Sequence, residues 1–310
     1  MSAHAPRSID DYLKQLRAAL EGEDPALIQD ALYDAEEYLR AEVAAHPDKS
    51  ESDVLELISS TYGAPEEVAA AYRDTEAKVK AALKTPVSPA AAGGAWKRFF
   101  SVYGDPRTYT SLFYMLLALA TGIVYFTIVV TGLSLSVGFA VLIIGVPFFL
   151  AFIGITRVIA LGEGRLLEAI SGERMPRRPV HPGPPASWWA RIGSMLTDVR
   201  TWTTLAYLLL MLPLGIVYFT VAVTGLAISG AFIATPLTLI GEHLGMIDWS
   251  VNEHIYWHAG EPWTFGHPVL DSALLLALGV LLLTVLLHLA RAVVRVHARL
   301  AKSMLVVQGA

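Results

Sequence analysis

The residues best suited to chemistry lie close together in the segment from Gly241 to His267, which holds four histidines, four acidic residues and several aromatic ones. His254 and His258 are four residues apart, so on a helix they point in one direction, as two ligands of a metal ion do. Glu253, His243 or Glu261 could complete the metal shell. The candidate ligand site therefore consists of His254, His258, Glu253, Trp249, Trp257 and Trp263.

The same segment fits a second interpretation, an aromatic belt at a membrane surface. Its tryptophans would then lie at the level of the lipid headgroups, and its histidines would simply be hydrated. Two histidines without a fixed third ligand favour this interpretation over a metal site. Elsewhere the sequence contains no nucleophile–base pair, P-loop or dinucleotide fingerprint. It also contains no cysteine, which excludes disulfides and cysteine-ligated metals. We therefore expect a protein that is not an enzyme and needs no cofactor.

A second group of polar residues occurs in the sequence Ile-Val-Tyr-Phe-Thr, which appears twice. Its tyrosines and threonines could line a cavity between two copies of one structural unit. Packing is the favoured role, because Ala118 and Gly122 are spaced for a close helix contact and hydroxyl groups can form hydrogen bonds across helices. The candidate repeat-interface residues are Tyr125, Thr127, Tyr218 and Thr220.

These residues belong to an internal repeat. The matching stretches, 93 positions apart, are Asp105–Tyr114 with Asp198–Tyr207 and Gly122–Thr127 with Gly215–Thr220. Further along, Arg157 aligns with Arg291 at an offset of 134, so the second copy has gained residues around 241–268. Both copies begin and end on the same side of the membrane by the argument below, which makes them parallel repeats with a pseudo-twofold axis along the membrane normal.

Four stretches are long and apolar enough to cross a bilayer. We place them near Tyr109–Thr131, Gly138–Ile155, Trp202–Thr224 and Leu270–Ala290. Basic residues lie before, between and after the two pairs of spans, so the positive-inside rule puts both termini in the cytosol and the insert outside. The apolar segment Ile228–Ile240 is short and contains Gly230 and Pro236, and we predict that it is re-entrant or interfacial.

The N-terminal part has a different composition. Residues 1–85 contain 18 acidic and 9 Lys or Arg residues, against 10 and 14 in the rest of the chain. Their apolar residues recur at helical spacing. The predicted caps and breaks define four short helices: Ser8, Asp24-Pro25, Ser50 or Ser52, and Pro65 as starts, with Gly22, His46-Pro47 and Gly63 as ends. A solvated acidic face is favoured over a docking surface. The acidic charge argues against direct binding of nucleic acid.

The predicted fold is therefore all-α, with a small N-terminal helical bundle and a four-span α-helical membrane domain made of two parallel repeats. The domains are an acidic cytosolic bundle (1–84), a linker (85–94) and the membrane domain (95–310). The membrane domain contains repeat 1 at about 105–170, a cytosolic linker at 171–197, and repeat 2 at about 198–305. Repeat 2 includes an extracytoplasmic insert at 241–268.

Two linear patterns resemble known bacterial families. Leu166–Pro176, the pair Trp188-Trp189 and Thr201–Thr220 together resemble the bacterial putative sensor domain, over about residues 105–305. This domain often precedes a histidine kinase. Residues 8–80, with Asp11-Tyr12-Leu13 and Tyr62–Ala69, resemble the HAAS domain, which is associated with PadR-like transcription regulators.

The resemblance implies a signalling protein of the bacterial inner membrane. No glycine-rich nucleotide box follows Arg295, so we expect no kinase output of its own; an envelope or lipid-state signal would leave through the bundle. The expected partners are the lipid bilayer, a PadR-like regulator or other cytosolic signalling protein, and a second copy in a homodimer. The alternative function is an accessory subunit or small transporter for an apolar or lipid-like substrate, which parallel repeats and uncharged spans permit.

The two interpretations of the histidine-rich segment make different predictions for zinc. If His254 and His258 are ligands, replacing both with alanine abolishes bound zinc, because the site then loses the two histidines that one helix face supplies. The measurement is the zinc content of the purified full-length protein and of the double variant. Equal zinc content in the two proteins would exclude the metal site.

Overall fold

The computed structural model describes residues 6–83, 94–142, 144–176, 178, 193, 196–243 and 268–306. Throughout these residues the chain is helical and contains no strand, which confirms the all-α prediction. The helices, numbered in chain order, are α1 Ile9–Ala19, α2 Pro25–Ala45, α3 Glu51–Ser59, α4 Pro65–Leu83, α5 Ala95–Phe100, α6 Pro106–Gly138, α7 Gly145–Ser171, α8 Val199–His243 and α9 Pro268–Leu305. Short 3-10 turns follow α5 and α6.

The N-terminal helices begin where their capping residues predict. The Ser8 hydroxyl accepts a hydrogen bond from the Asp11 backbone N–H at 3.1 Å, and Asp24 accepts one from Ala26 at 2.9 Å with proline following. Of the two serines proposed for α3, Ser50 is the cap. Such caps satisfy backbone donors that a helix cannot pair internally. Helix α3 ends at Ser59, four residues before Gly63, the residue predicted to stop it. Gly63 instead adopts its left-handed φ of 102° in the turn before α4.

The inner faces of α1 to α4 form one apolar core. Helix α1 packs against both α2 and α4, and α2 contacts α3. The largest fully buried side chains of this core are Tyr12, Leu16, Leu20, Leu27 and Leu39. Helices α1 and α3, with 11 and 9 residues, are too short to persist alone in water, so the shared core is what stabilises them.

Among the residues that the structure describes, four helices are long and apolar enough to cross a membrane, which matches the predicted number of spans. They are Pro106–Gly138, Gly145–Ser171, Val199–Leu237 and Leu270–Leu305. Only 22–28% of the most apolar window of each is buried within the protein. The remaining apolar surface needs a nonaqueous environment, because large exposed apolar areas are rare on soluble proteins.

Ile228–Ile240 is not a separate re-entrant segment, whereas its interfacial placement stays a prediction. This stretch continues α8 without interruption from Val199 to His243, through Pro213 and Pro236. In an apolar environment a broken helix leaves backbone groups without partners, whereas a proline inside a helix forfeits one hydrogen bond. Continuing the helix is the less costly solution for an apolar chain.

The fold divides into two compact units, each built from separate segments of the chain. The first contains Met1–Ser88, Tyr125–Leu210 and Val296–Ala310, and the second contains Pro89–Val124 and Met211–Arg295. The first therefore holds the N-terminal bundle and all of α7, together with parts of α6, α8 and α9.

In the second unit, the first spans of the two repeats cross at a pair of glycines. A Cβ placed on Gly122 of α6 would lie 2.6 Å from the Met211 carbonyl oxygen of α8. Reciprocally, a Cβ on Gly215 would collide with the Ala118 carbonyl oxygen. Gly215 is the repeat equivalent of Gly122, and Met211 is the equivalent of Ala118. The crossing is thus a symmetric backbone-to-backbone contact of the kind small residues allow between membrane helices.

A second glycine contact recurs inside each copy. In the first unit, Gly132 of α6 lies under the Phe152 ring of α7, and in the second unit Gly225 of α8 lies under the Leu286 side chain of α9. These are equivalent positions at offsets of 93 and 134. Each copy therefore packs its two spans through the same glycine.

We predict that alanine at either crossing glycine destabilises the protein. Gly122→Ala and Gly215→Ala each place a methyl group against a backbone carbonyl that cannot rotate away, and such overpacking costs about 1–3 kcal/mol. The measurement is the thermal unfolding of the detergent-solubilised full-length protein.

The matched controls are Gly154→Ala and Gly162→Ala in α7, where an added Cβ meets no atom within 4 Å. These controls should unfold at or above the temperature of the unchanged protein, since alanine favours helix over glycine. Crossing variants as stable as the controls would contradict the close contact.

Candidate functional site

A buried arginine joins the N-terminal bundle to the segment that follows α7. The Arg174 guanidinium is paired with Asp30 of α2 at 3.0 Å and with Glu76 of α4. The arginine side chain is 12% exposed and each carboxylate side chain 6% exposed. A charge removed from water to this degree requires such partners, because desolvation alone would cost several kcal/mol.

One turn further along α2, a second arginine forms a similar contact. The Arg178 guanidinium pairs with Asp34 at 2.9 Å and lies over the Tyr33 ring. Its backbone N–H donates to Asp30 at 3.0 Å, and its carbonyl accepts from the Gln29 side chain at 2.9 Å. The segment after α7 is therefore held by side chains and backbone together.

A third contact comes from the end of α9. The Lys302 ammonium lies 2.6 Å from a carboxylate oxygen of Asp24, the residue that caps α2. Three basic residues, two after α7 and one near the end of α9, thus contact acidic residues of the bundle. We call this set, Asp24, Asp30, Asp34 and Glu76 with Arg174, Arg178 and Lys302, the docking surface. For these four carboxylates the interpretation as a solvated face was wrong.

The position of Arg174 depends on how α7 ends. Gly172 has a φ of 75°, and its N–H donates to the Glu168 carbonyl, so the helix stops in the left-handed conformation that glycine tolerates. The Ser171 hydroxyl accepts from the Glu173 backbone N–H and fixes the first residue of the turn. Met175, fully buried, anchors the segment beyond the arginine.

Tyrosine hydroxyls support the carboxylates of this surface. The Tyr72 hydroxyl donates to Asp34 at 2.9 Å. Burial raises the pKa of Tyr72 far above its ordinary value, and its hydrogen bond to Asp34 adds to the rise. Burial also raises the pKa of Tyr62 to about 12, with a contribution from the negative charge of Asp34. At neutral pH both groups are protonated, so Tyr72 remains a donor to the docking surface.

Each repeat also contributes to an exchanged ion pair at equivalent positions. In the second unit, Asp105 of the first copy pairs with Arg291 of the second at 3.1 Å. In the first unit, Asp198 of the second copy lies 3.7 Å from Arg157 of the first. The offsets of 93 and 134 map one pair onto the other. The basic residues that flank the spans are thus also structural partners of the other copy.

The proposed repeat-interface residues have different surroundings. Tyr125, in the first unit, donates to Glu163 of α7 at 2.8 Å, which is a contact inside its own copy. Tyr218, in the second unit, packs against Met115, Ala222 and Ala290, which come from both copies. The Thr127 and Thr220 side chains are exposed on their helices. The two tyrosines therefore lie in different units, and the role of the four residues at a repeat interface stays a prediction.

The proposed ligand and metal site lies outside the described residues. This applies to His254, His258, Glu253, Trp249, Trp257 and Trp263, so the metal and aromatic-belt interpretations both remain predictions. Within the described ranges, no group of three or more His, Asp or Glu residues is arranged to hold a metal ion.

Sequence reasoning did not single out the residues that the bundle uses. Glu76 falls on the apolar stripe of α4, four residues after Tyr72 and eight after Val68, and Asp30 falls between the buried Leu27 and Ala31 of α2. An acidic residue on a buried stripe indicates a buried partner. A similar signal marks the buried Glu163 and its repeat equivalent His297, whose ring nitrogen lies 3.0 Å from the Tyr207 hydroxyl.

Comparison with known proteins identifies a family for the membrane part of the chain. The model of the family described as "Putative sensor" matches residues 114–305, which cover more than half of the chain. No curated protein and no solved structure shows significant similarity to it. The matched region begins within α6 and ends with α9, so it includes all four membrane-capable helices in whole or in part. The chain belongs to the Putative sensor family.

Proposed function

We propose that this protein is a membrane-embedded sensory protein that transmits an envelope or lipid-state signal through its N-terminal bundle to a partner regulator. It acts without catalysis of its own, and both termini face the cytosol of a bacterial cell. Membership of the sensor family and four membrane-capable helices support a sensory role in a membrane. The basic residues at the ends of the spans support the orientation.

The observation that carries this proposal is the buried Arg174 bridge. The arginine follows α7 by three residues, and its two carboxylates come from different helices of the bundle. Any rotation or displacement at the end of α7 must either carry α2 and α4 along or separate charges that are shielded from water. Breaking one partner of a buried ion pair costs about 3 kcal/mol or more, so the bridge can convert a movement of the span into two states of the bundle.

The resemblance of the bundle to the HAAS domain supports a regulator of the PadR type as the partner. The docking surface uses only one side of the bundle, and acidic residues such as Glu37 and Glu66 remain exposed elsewhere. A partner can therefore reach the bundle while it is docked.

We predict that Arg174→Ala releases the bundle from the segment after α7. The protein has no cysteine, so spin labels at Glu37→Cys and Ser303→Cys, both exposed positions, report one defined distance. The expected result is a narrow distance distribution that becomes broad in Arg174→Ala, because two buried carboxylates lose their cation. The matched control is Arg165→Ala, which removes the same charge from an exposed position of α7. A narrow distribution in both variants would contradict the bridge.

The signalling role is tested by co-purification from native membranes, with the tagged full-length protein compared with a variant lacking residues 1–85. We expect a transcription regulator or a kinase to be recovered only when the bundle is present. Recovery of transporter subunits, equally with and without the bundle, would overturn the sensory proposal in favour of an accessory subunit.

A further inference from the structure

A cavity of about 70 Å³ lies in the first unit beside the docking surface. Helix α7, the start of α8 and the end of α9 form its walls, and Gln29 of α2 closes one side. A single water needs roughly 10–15 Å³ of such space, so the cavity can hold a polyatomic group.

The polar lining of the cavity consists mainly of donors that suit an anion. Arg157 and Arg200 contribute two guanidinium groups. The ion pair from Arg157 to Asp198 is long at 3.7 Å and leaves both side chains about one third exposed. Within the described residues, the Arg200 guanidinium forms no hydrogen bond or ion pair. Two arginines and one aspartate leave a net charge of +1.

Two buried polar atoms of the lining have no hydrogen-bond partner among the described residues. They are the Thr201 hydroxyl oxygen and the Gln29 side-chain oxygen. Thr201 is 5% exposed, and burying a hydroxyl without a partner is costly unless a ligand or water supplies one. Thr201 can donate to an anion, while Gln29 can accept from a hydroxyl group of the ligand.

The remaining lining is mostly apolar. Ile153, Ala160 and Leu161 of α7 lie at the cavity. Such a wall suits the apolar groups that adjoin the charged head of an amphiphile.

The repeat provides an equivalent set of polar residues. Asp105, Arg107, Thr108 and Arg291 are equivalent to Asp198, Arg200, Thr201 and Arg157 at offsets of 93 and 134. Each set thus takes three residues from one copy and one from the other. On α7, Ala160 and Gly164 are smaller than Val294 and Ala298, their equivalents on α9. The cavity in the first unit is lined by the smaller residue at both of these positions.

We propose that this cavity binds a singly charged phosphate group, which an anionic phospholipid presents as its phosphodiester headgroup. The net charge of +1 matches one phosphodiester, and guanidinium groups bind phosphate through paired hydrogen bonds. Free phosphate carries the same chemistry, but the apolar wall favours the lipid. This inference deepens the proposed function, on which it rests for its signalling meaning, because Gln29 connects the cavity to Arg178 of the docking surface.

The test measures lipid binding to the purified full-length protein by native mass spectrometry in detergent. The probes are phosphatidylglycerol, phosphatidylcholine and inorganic phosphate. We expect one phosphatidylglycerol to be retained in preference to phosphatidylcholine, and Arg200→Gln to weaken its binding about tenfold through the loss of charge-assisted hydrogen bonds. The control Arg165→Gln removes the same charge from an exposed position of α7 and should bind as the unchanged protein does.

A second variant, Ala160→Val with Gly164→Ala, fills the cavity with the residues of the second copy and alters no charge. An added Cβ at Gly164 meets Met175 at an ordinary 3.4 Å, so this variant should fold, as its melting temperature will verify. We expect it to lose the retained lipid, and Gly162→Ala to keep it.

Two outcomes are informative. If inorganic phosphate displaces phosphatidylglycerol from the unchanged protein and has no effect on the two cavity variants, the phosphate site is supported. Free phosphate would then be identified as a competing ligand. Equal binding of phosphatidylglycerol to the unchanged protein and to both cavity variants would overturn the site. Binding is measured without any partner, so such a failure would not change the co-purification result. The proposed function would therefore be tested separately.

Discussion

A guanidinium group shielded from water can be accommodated only where carboxylates surround it. The buried Arg174 therefore constrains α2, α4 and the end of α7. Asp30 and Glu76 must approach from two helices, so α2 and α4 need the orientation that their shared core provides. Gly172 must end α7 in a left-handed turn, or the arginine would point elsewhere. Because losing either side leaves an unpaired buried charge, the contact specifies one docked arrangement rather than merely adding stability.

The duplication explains much of the membrane region at little cost in sequence. The glycine contacts and the exchanged ion pairs occur twice at equivalent positions. Differences between the copies arise from a few substitutions on this shared frame. Val294 replaces Ala160, and His297 replaces Glu163, which changes a side-chain volume and a charge without altering the helices. A repeated frame can therefore acquire different side chains at one of two equivalent positions while both copies keep the fold.

Local signals in the sequence predict the helices well, because caps and glycine stops act within a few residues. Ser8 and Asp24 each perform the expected role. The failures have a different origin. Pro236 indicated a break, but the surrounding apolar chain favours an unbroken helix. Asp30 and Glu76 were assigned to a solvated face since their partner, Arg174, lies 144 and 98 residues away in the sequence, and no local pattern reveals such a pairing. The Thr201 side of the cavity depends likewise on segments that meet only in the folded chain.

The membrane-capable part of α8 is 39 residues long, which corresponds to roughly 58 Å of helix. The hydrocarbon layer of a bilayer is only about 30 Å thick, so such a helix must tilt strongly or project beyond the layer. Helix α6, at 33 residues, faces the same mismatch. The energy of this mismatch changes with bilayer thickness, by fractions of a kcal/mol per Å. Each of these two helices therefore meets a hydrophobic mismatch in any bilayer that it crosses.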